Sequence, residues 1–409
     1  MSNLSIMERI DKYIQETGKV GFKDGIRWRP VYTEEDKEIR NLFKEIMEKE
    51  GLETYIDSVG NLFGQLRDED NKKTEKKILI GSHMDTVKNG GAYDGAVGII
   101  IGIIALSEAI KLYGKPKVPV EIAALIEEEG SRYNMGYVGS RSIVKGLTEK
   151  ELSAKDEKGI LLKEAMLSCG FDPKKVKDSK RDDIKAYLEV HIEQGPVLNS
   201  EKKKIGIVEK ITGLNVIEVS IEGREDHAGT TPMDLRKDAL VESSRIIYNI
   251  PKIASNISKT GRATVGMVKV LPGSSNVVPK EVKFTVDIRD IDPVHINRIT
   301  DEIKKEITKA EEKGFKVYIS TEAEENPVIL DEDIIRISEK SAKNLNIPYL
   351  KMNSGAGHDA QIFAENFPAG LIFIPCKEGR SHTPDEFASI EDISIGVDLM
   401  TDIIKNTAY

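Results

Sequence analysis

The chain has 409 residues, 39% of them hydrophobic and 32% charged, with a formal net charge of −9. That length predicts two or three domains of a globular protein, and charges of both signs mixed along the chain leave no basic stripe for nucleic acid or for an anionic membrane surface. Cys169 and Cys376 are the only cysteines, which excludes a disulfide framework and a cysteine-based zinc site.

The N-terminus, MSNLSIMERIDKYIQ, carries charges from Glu8 onward and lacks the apolar segment of a signal peptide, so a cytoplasmic location is expected. Residues 4–16 and 34–50 have the spacing of amphipathic helices, the second with Thr33 as its N-cap. Residues 54–57 and 61–67 alternate like a hairpin around Val59-Gly60. The apolar run 76–80 predicts a strand leading into GSHMDTVKNGGAYDG (81–95), and a helix is expected over about 94–113. Its greasiest part, AVGIIIGIIAL (96–106), is about half of what a membrane span requires. VPVEIAALI (118–126) predicts a strand that ends in EEEGS. Strands alternating with long helices argue for an α/β layer around a largely parallel sheet.

From about Ile205 the character changes. Residues 208–223 alternate, 235–257 are helical by period, 263–270 and 282–288 look like strands, Pro293 opens a helix to about Gly314, and FKVYIS closes the set. This β-α-β-β-α-β succession is the ferredoxin-like signature. After Asn326-Pro327 the α/β rhythm resumes, with a helix at 331–345, the strand LIFIP (371–375) and a last helix at about 391–406. The expected architecture is a discontinuous α/β domain, residues 1–207 and 326–409, with a mostly parallel mixed sheet between helices, and a smaller α+β domain inserted at 208–325.

Chemistry concentrates around few residues. Of six histidines, His83, His191, His227, His358 and His382 sit in short stretches rich in Gly, Ser, Thr or carboxylates, and only His295 does not. The stretch 81–95 places His83 at a strand end and Asp94 at a helix start, eleven residues apart, as a metal site at a sheet's carboxyl edge needs. Imidazoles with Asp94 and the carboxylates 127–129 suit Zn, Mn, Co or Ni, and a bridging carboxylate can hold two ions about 3.5–4 Å apart. Adjacent carboxylates at the end of a strand can divide two tasks, one ligating a metal while its neighbour takes a proton from water and later returns it. Arg289, in VDIRD, is either the partner of Asp287 or Asp290 or a bidentate clamp for a substrate carboxylate.

GSHMDTV with GGAYDG, EEEGSRY, HIEQGP, HAGTTPM, GSSNVVP, DIRD, SGAGHDA and SHTPDEF, in this order over about 300 residues, resemble the hydantoinase/carbamoylase-type amidases. These include N-carbamoyl-L-amino-acid amidohydrolases, allantoate amidohydrolases and β-ureidopropionases, within the wider group of aminoacylases and dinuclear-zinc exopeptidases. The resemblance implies two divalent ions per subunit, one on His83, Asp94 and His191 and the other on Asp94, Glu129 and His382, with Asp94 bridging. It implies Glu128 as general base and acid and Asp85 as the carboxylate that orients the imidazole of His83, a task with independent physical sense. Gln194, His227, Asn276, Arg289 and His358 would contact substrate, His227 also stabilising the oxyanion; His227 and Asn276 would reach the metals either by closure of the inserted domain as a lid over the cleft or from a partner subunit, and that domain would form a homodimer. Lys88, Ala92 and Asp226 depart from the family's pattern and bear on substrate preference.

Three rivals are weaker. GAGHDA (355–360), with Glu378 about 20 residues on, fits a nucleotide-binding turn, but it is a lone match. A serine hydrolase would carry a G-x-S-x-G elbow, which the sequence lacks. A catalytically dead relative would have lost the base or a ligand, yet Glu128 and all five ligand positions are present. The expected activity is hydrolysis of the carbamoyl C–N bond of a small ureido acid, an N-carbamoyl-L-amino acid first, with allantoate as the alternative and β-ureidopropionate or an acyl amino acid or dipeptide behind it.

Overall fold

Unbroken apolar runs and strict alternation build two different sheets in this chain. The computed structural model describes residues 4–66 and 76–409; Arg67, the last residue of the expected hairpin, lies outside them. The chain divides into two compact units, the first comprising Met1–Glu209, Leu330–Met352 and His358–Tyr409, the second Lys210–Ile329 and Asn353–Gly357. The sequence pattern alone does not set residues 353–357 apart from the first unit.

In the first unit the strands Val120–Leu125, Lys77–His83, Ile184–Ile192 and Ala369–Ile374 lie side by side in that order and all parallel. Leu62–Gln65 and then Glu53–Ile56 extend one edge antiparallel, and Ile205–Ile211 begins the other. Every residue of Val120–Leu125 and Ala369–Ile374 is buried, which is why these segments read as apolar runs, broken only by Glu121, whose buried carboxylate pairs with Arg181. The helix Ala96–Tyr113 packs on this sheet and against the helix Ile390–Ala408. It has 18 residues, close to the expected 94–113, and taken whole, beyond its greasiest run 96–106, it is by length and composition apolar enough to cross a membrane. Most of it is buried inside the structure, and a helix apolar on all sides suits such a core position.

The second unit is a sheet ordered Arg262–Thr264, Glu281–Asp290, Gly213–Glu222, Lys316–Glu325, with Val268–Leu271 pairing farther along Glu281–Asp290. All pairs are antiparallel, and the order is the ferredoxin-like one. The expected strand 263–270 is two short strands, because residues 265–267 leave the ladder. Gly213–Glu222 and Glu281–Asp290 bury every second residue. Ile217, Val219, Ile221, Val282, Phe284, Val286 and Ile288 form a core with the helices Ala239–Ile257 and Pro293–Glu312. The latter contributes Ile296, Ile299, Ile303, Ile307 and Ala310, the three-and-four spacing of one helical face.

Other boundaries shift by a few residues: the first helix is Ile6–Lys19, and the last two long ones are Glu332–Asn344 and Ile390–Ala408. Between residues 138 and 179 the chain forms the short helices Val138–Val144, Glu149–Leu152 and Leu162–Ser168 and a 3-10 segment. Elements of four to seven residues span too few turns to leave a period in the sequence.

Candidate metal and catalytic site

Open α/β sheets bind ligands beyond the carboxyl ends of their strands, and the first unit gathers its polar residues there. His83 closes its strand in register with Leu125, and His191 lies beside Phe373 near the end of Ile184–Ile192. The turn after Leu125 carries Glu127, Glu128 and Glu129, and the loop after Ile374 carries Ser381 and His382. The loop after His83 delivers Asp94 just before Gly95, the N-cap of Ala96–Tyr113. Gly95 has φ +66°, and a Cβ there would meet the His83 ring at 2.5 Å. Glycine is the residue that allows both the turn and the close approach.

Around Asp94 the donor atoms converge. Its Oδ1 lies 3.0 Å from His191 Nε2 and 3.5 Å from His83 Nε2, while Oδ2 lies 3.2 Å from His382 Nε2. His382 Nε2 is also 3.3 Å from Glu129 Oε2. His191 Nδ1 faces the Ile192 carbonyl at 2.9 Å and His83 Nδ1 the Asp85 carbonyl at 3.2 Å. When the rings are neutral, these contacts place their protons on Nδ1 and turn two Nε2 lone pairs towards each other at 3.4 Å; in metal-free protein burial alone would lower both rings, but the surrounding carboxylates outweigh it and raise them. Asp94 Oδ1 and Glu129 Oε1 are buried and, among the described residues, accept no hydrogen bond. Facing lone pairs and buried acceptors without donors are what a cation satisfies, and imidazole with carboxylate is a donor set for a transition-metal dication. The groups that could hold one are His83, Asp94 and His191; Asp94, Glu129 and His382; His83, Glu128 and Glu129; and Glu189, His191 and His358.

The three consecutive carboxylates take three environments. Glu127, at φ +48°, is buried and accepts the backbone N–H groups of Arg132 and Tyr133; burial and the charge of Asp85 push its pKa up to about 8. It braces the turn. Glu128 places Oε2 3.8 Å from His83 Nε2; burial pushes its pKa well above the ordinary value against the pull of His83. Burial also raises Glu129, with the charge of Asp94 adding to it. Burial alone would raise Asp94, but His191, His382 and His83 hold it well below the usual carboxylate range. Hydrogen bonding to Asp94 and Glu129 raises His382 to about 10.

Asp85 lies 3.6 Å from His83 Nδ1, and its carboxylate accepts the backbone N–H groups of Glu128 and Glu129 at 3.0 and 3.2 Å. Its carboxylate thus holds the carboxylate turn, while the nearer partner of the His83 ring is its backbone carbonyl. Gln194 donates its amide to Asp94 Oδ2 at 2.9 Å. His358, 1% exposed, packs its ring edge against His191 with centroids 4.6 Å apart, and burial, then His191, drives its pKa well below the ordinary value. The expected strand, turn and helix around GAGHDA exist, but the helix Asp359–Phe363 has only five residues.

The remaining sequence candidates belong to the second unit, except Lys88, which lies in the first. His227 is exposed, and its Nδ1 accepts the N–H groups of Gly229 and Thr230 at 3.0 and 3.2 Å, which leaves its proton on Nε2 as a donor. The strand Asp226–His227 pairs with Val277–Val278, and the carbonyl of the exposed Asn276 accepts the N–H of Ala228. Arg289 donates Nε and Nη2 to the two carboxylate oxygens of Asp287 at 2.8 and 2.9 Å and Nη1 to the Gly355 carbonyl at 3.0 Å. The ion pair weighed against the clamp is thus formed in this structure. Asp226 pairs with Arg224 at 2.8 Å, and Lys88 lies 5.6 Å above the Trp28 ring.

Two buried carboxylates escaped the sequence reading. Glu189, two residues before His191 on the same face of its strand, accepts Ser82 Oγ and the Ala360 N–H. Glu386 accepts the N–H groups of Tyr93 and Asp94. The signal for Glu386 was its place four residues after His382 in SHTPDEF.

Known proteins match the chain over nearly its whole length. The family model described as Peptidase family M20/M25/M40 matches residues 79–406. The N-carbamoyl-L-amino-acid amidohydrolase of Pseudomonas sp. (strain NS671) is 38% identical over 410 residues, covering 98% of each chain. The allantoate amidohydrolase of Bacillus subtilis (strain 168) is 36% identical over 409 residues, covering 99% of each. A solved amidase of the hydantoinase/carbamoylase family from Burkholderia multivorans is similar with a TM-score of 0.89 at 30% identity, covering 98% of each chain.

Proposed function

The chain belongs to peptidase family M20/M25/M40 and is a hydrolase acting on carbon–nitrogen bonds, and from that premise we propose that it removes the carbamoyl group of an N-carbamoyl-L-amino acid. The observation that supports two-metal hydrolysis most is the division of the two Asp94 oxygens between His83 with His191 and His382 with Glu129, beside the carboxylate of Glu128, and the choice of substrate is supported by the Pseudomonas relative of that name. Two divalent ions, zinc or else manganese, cobalt or nickel, would be held by His83, Asp94 and His191 and by Asp94, Glu129 and His382; bound there, such ions lower the pKa of a water and polarise a carbonyl.

Glu128 takes a proton from the attacking water as its oxygen adds to the carbamoyl carbon, and gives a proton to the amino-acid nitrogen as the C–N bond breaks. The carbamate released falls to carbon dioxide and ammonia. Asp85 keeps the His83 ring in one tautomer. His227 offers its Nε2 proton to the oxyanion, a donor whose loss typically costs about 10²–10³ in rate. Arg289 binds the substrate carboxylate by exchanging Asp287 for it, and Gln194, Asn276 and His358 contact the remainder. A cytoplasmic homodimer formed through the second unit completes the proposal.

Allantoate is the second reading, supported by the Bacillus subtilis relative of that name. The test is ammonia release from N-carbamoyl-L-amino acids, allantoate and β-ureidopropionate, beside amine release from N-acetyl amino acids and dipeptides, each with Zn, Mn, Co or Ni. The highest kcat/KM is expected on an N-carbamoyl-L-amino acid. A higher value on allantoate transfers the assignment to it, and turnover of dipeptides without ammonia from any ureido acid overturns both.

A further inference from the structure

Glu386 is 5% exposed and stands outside every donor group described above. Its Oε1 accepts two consecutive backbone N–H groups, those of Tyr93 and Asp94, each at 2.9 Å. Its Oε2 accepts Ser381 Oγ at 2.9 Å, and that hydroxyl also lies 2.8 Å from Asp94 Oδ2. The side chain runs over Gly91, where a Cβ would fall 2.1 Å from Glu386 Oε1 and 2.4 Å from its Cβ. One residue on, Phe387 meets Tyr93 edge to face with centroids 5.6 Å apart. The loop of Asp94 and the loop of His382, nearly 300 residues apart in sequence, are thus joined at this one carboxylate.

We propose that Glu386 is the positioning residue for the bridging carboxylate. By holding both loops it makes Asp94 and His382 present their ligand atoms in a fixed relation. A segment with Gly90, Gly91 and Gly95 has wide backbone freedom, and ordering it costs roughly 1–2 kcal/mol per residue; two N–H bonds to one anchored carboxylate remove that freedom at the residue that launches the Asp94 side chain. Groups that orient ligands in this way typically change metal affinity about 10–100-fold when removed. Gly91 is the complement of the contact, since only a residue without Cβ leaves the carboxylate room. The inference rests on the ligand assignment under Proposed function.

The test titrates metal-free protein with zinc by calorimetry and follows its unfolding midpoint without metal. Glu386→Ala should weaken zinc binding about 10–100-fold and also lower the metal-free midpoint, because two buried N–H groups lose their acceptor. Glu386→Gln, whose amide oxygen still accepts both N–H groups, should recover most of the affinity. Gly91→Ala should weaken binding similarly, and adding it to Glu386→Ala should change little, because the clash has gone. Wild-type affinity in Glu386→Ala, a lowered metal-free midpoint with unchanged affinity, or additive effects in the double variant would overturn the proposal. Asp94→Asn is titrated in parallel. If it keeps both ions, the ligand assignment fails; if it loses them while Glu386→Ala does not, only the role of Glu386 fails.

Discussion

The two units make opposite use of their polar residues. In the first, imidazoles and carboxylates converge at the ends of parallel strands and leave acceptors such as Asp94 Oδ1 without donors. In the second, the side chains proposed to meet substrate already have local partners: Arg289 holds Asp287, and His227 Nδ1 takes two backbone N–H groups. Around Asp94 buried acceptors of one site are left for a cation, whereas Arg289 and the Nδ1 of His227 are already spent on neighbours in their own unit. What points to a ligand is several unsatisfied acceptors and imidazoles converging on one point, as they do at Asp94, and at Arg289 a substrate carboxylate has Asp287 to displace.

Four substitutions break or sharpen this contrast. Glu128→Gln should lower kcat by about 10²–10⁴ with the metal content of the purified protein unchanged; near-normal turnover would remove Glu128 from the chemistry. Phe284→Ala empties part of the second unit's core and should destabilise it by about 3–5 kcal/mol, measured by urea unfolding, while zinc affinity stays as in wild type. A parallel loss of zinc affinity would mean that the two units do not unfold separately. Arg289→Ala should raise KM for carboxylate substrates roughly tenfold to a hundredfold, as loss of a charge-assisted contact worth about 1.5–3 kcal/mol implies, with kcat little changed. An unchanged KM would return Arg289 to its ion pair with Asp287.

The smallest effect concerns acid stability. Burial works against Glu306, but Lys309, Asn249 and Arg245 hold its pKa down to about 2 from 4.5. A depressed carboxylate stabilises the folded state fully above 4.5 and loses that contribution as pH falls towards 2. Glu306→Gln should therefore flatten the pH dependence of unfolding between those values, read by circular dichroism, and an unaltered profile would show that the network contributes nothing.

How much of this was legible in the chain depends on distance along it. The alternation of Gly213–Glu222 and Glu281–Asp290 and the spacing of Pro293–Glu312 announce a one-faced sheet with helices behind it, since each pattern is complete within one element. The core helix Ala96–Tyr113 was legible almost to its ends, because its apolar run and the glycines before it mark where it starts and Gly114 where it stops. Glu386 was quoted in a motif and assigned nothing, because its partners Tyr93 and Asp94 lie almost 300 residues away.

By itself the sequence determined the kinds of element, the inventory of imidazoles and carboxylates, and the family that their order resembles, since all of these are local or linear properties. Which carboxylate of Glu127, Glu128 and Glu129 braces the turn, which Asp94 oxygen faces which imidazole, and whether Arg289 is paired or open were decided only in three dimensions. Those outcomes depend on the angle at which one loop meets another, and that angle is set by packing and hydrogen bonds between segments far apart in the chain.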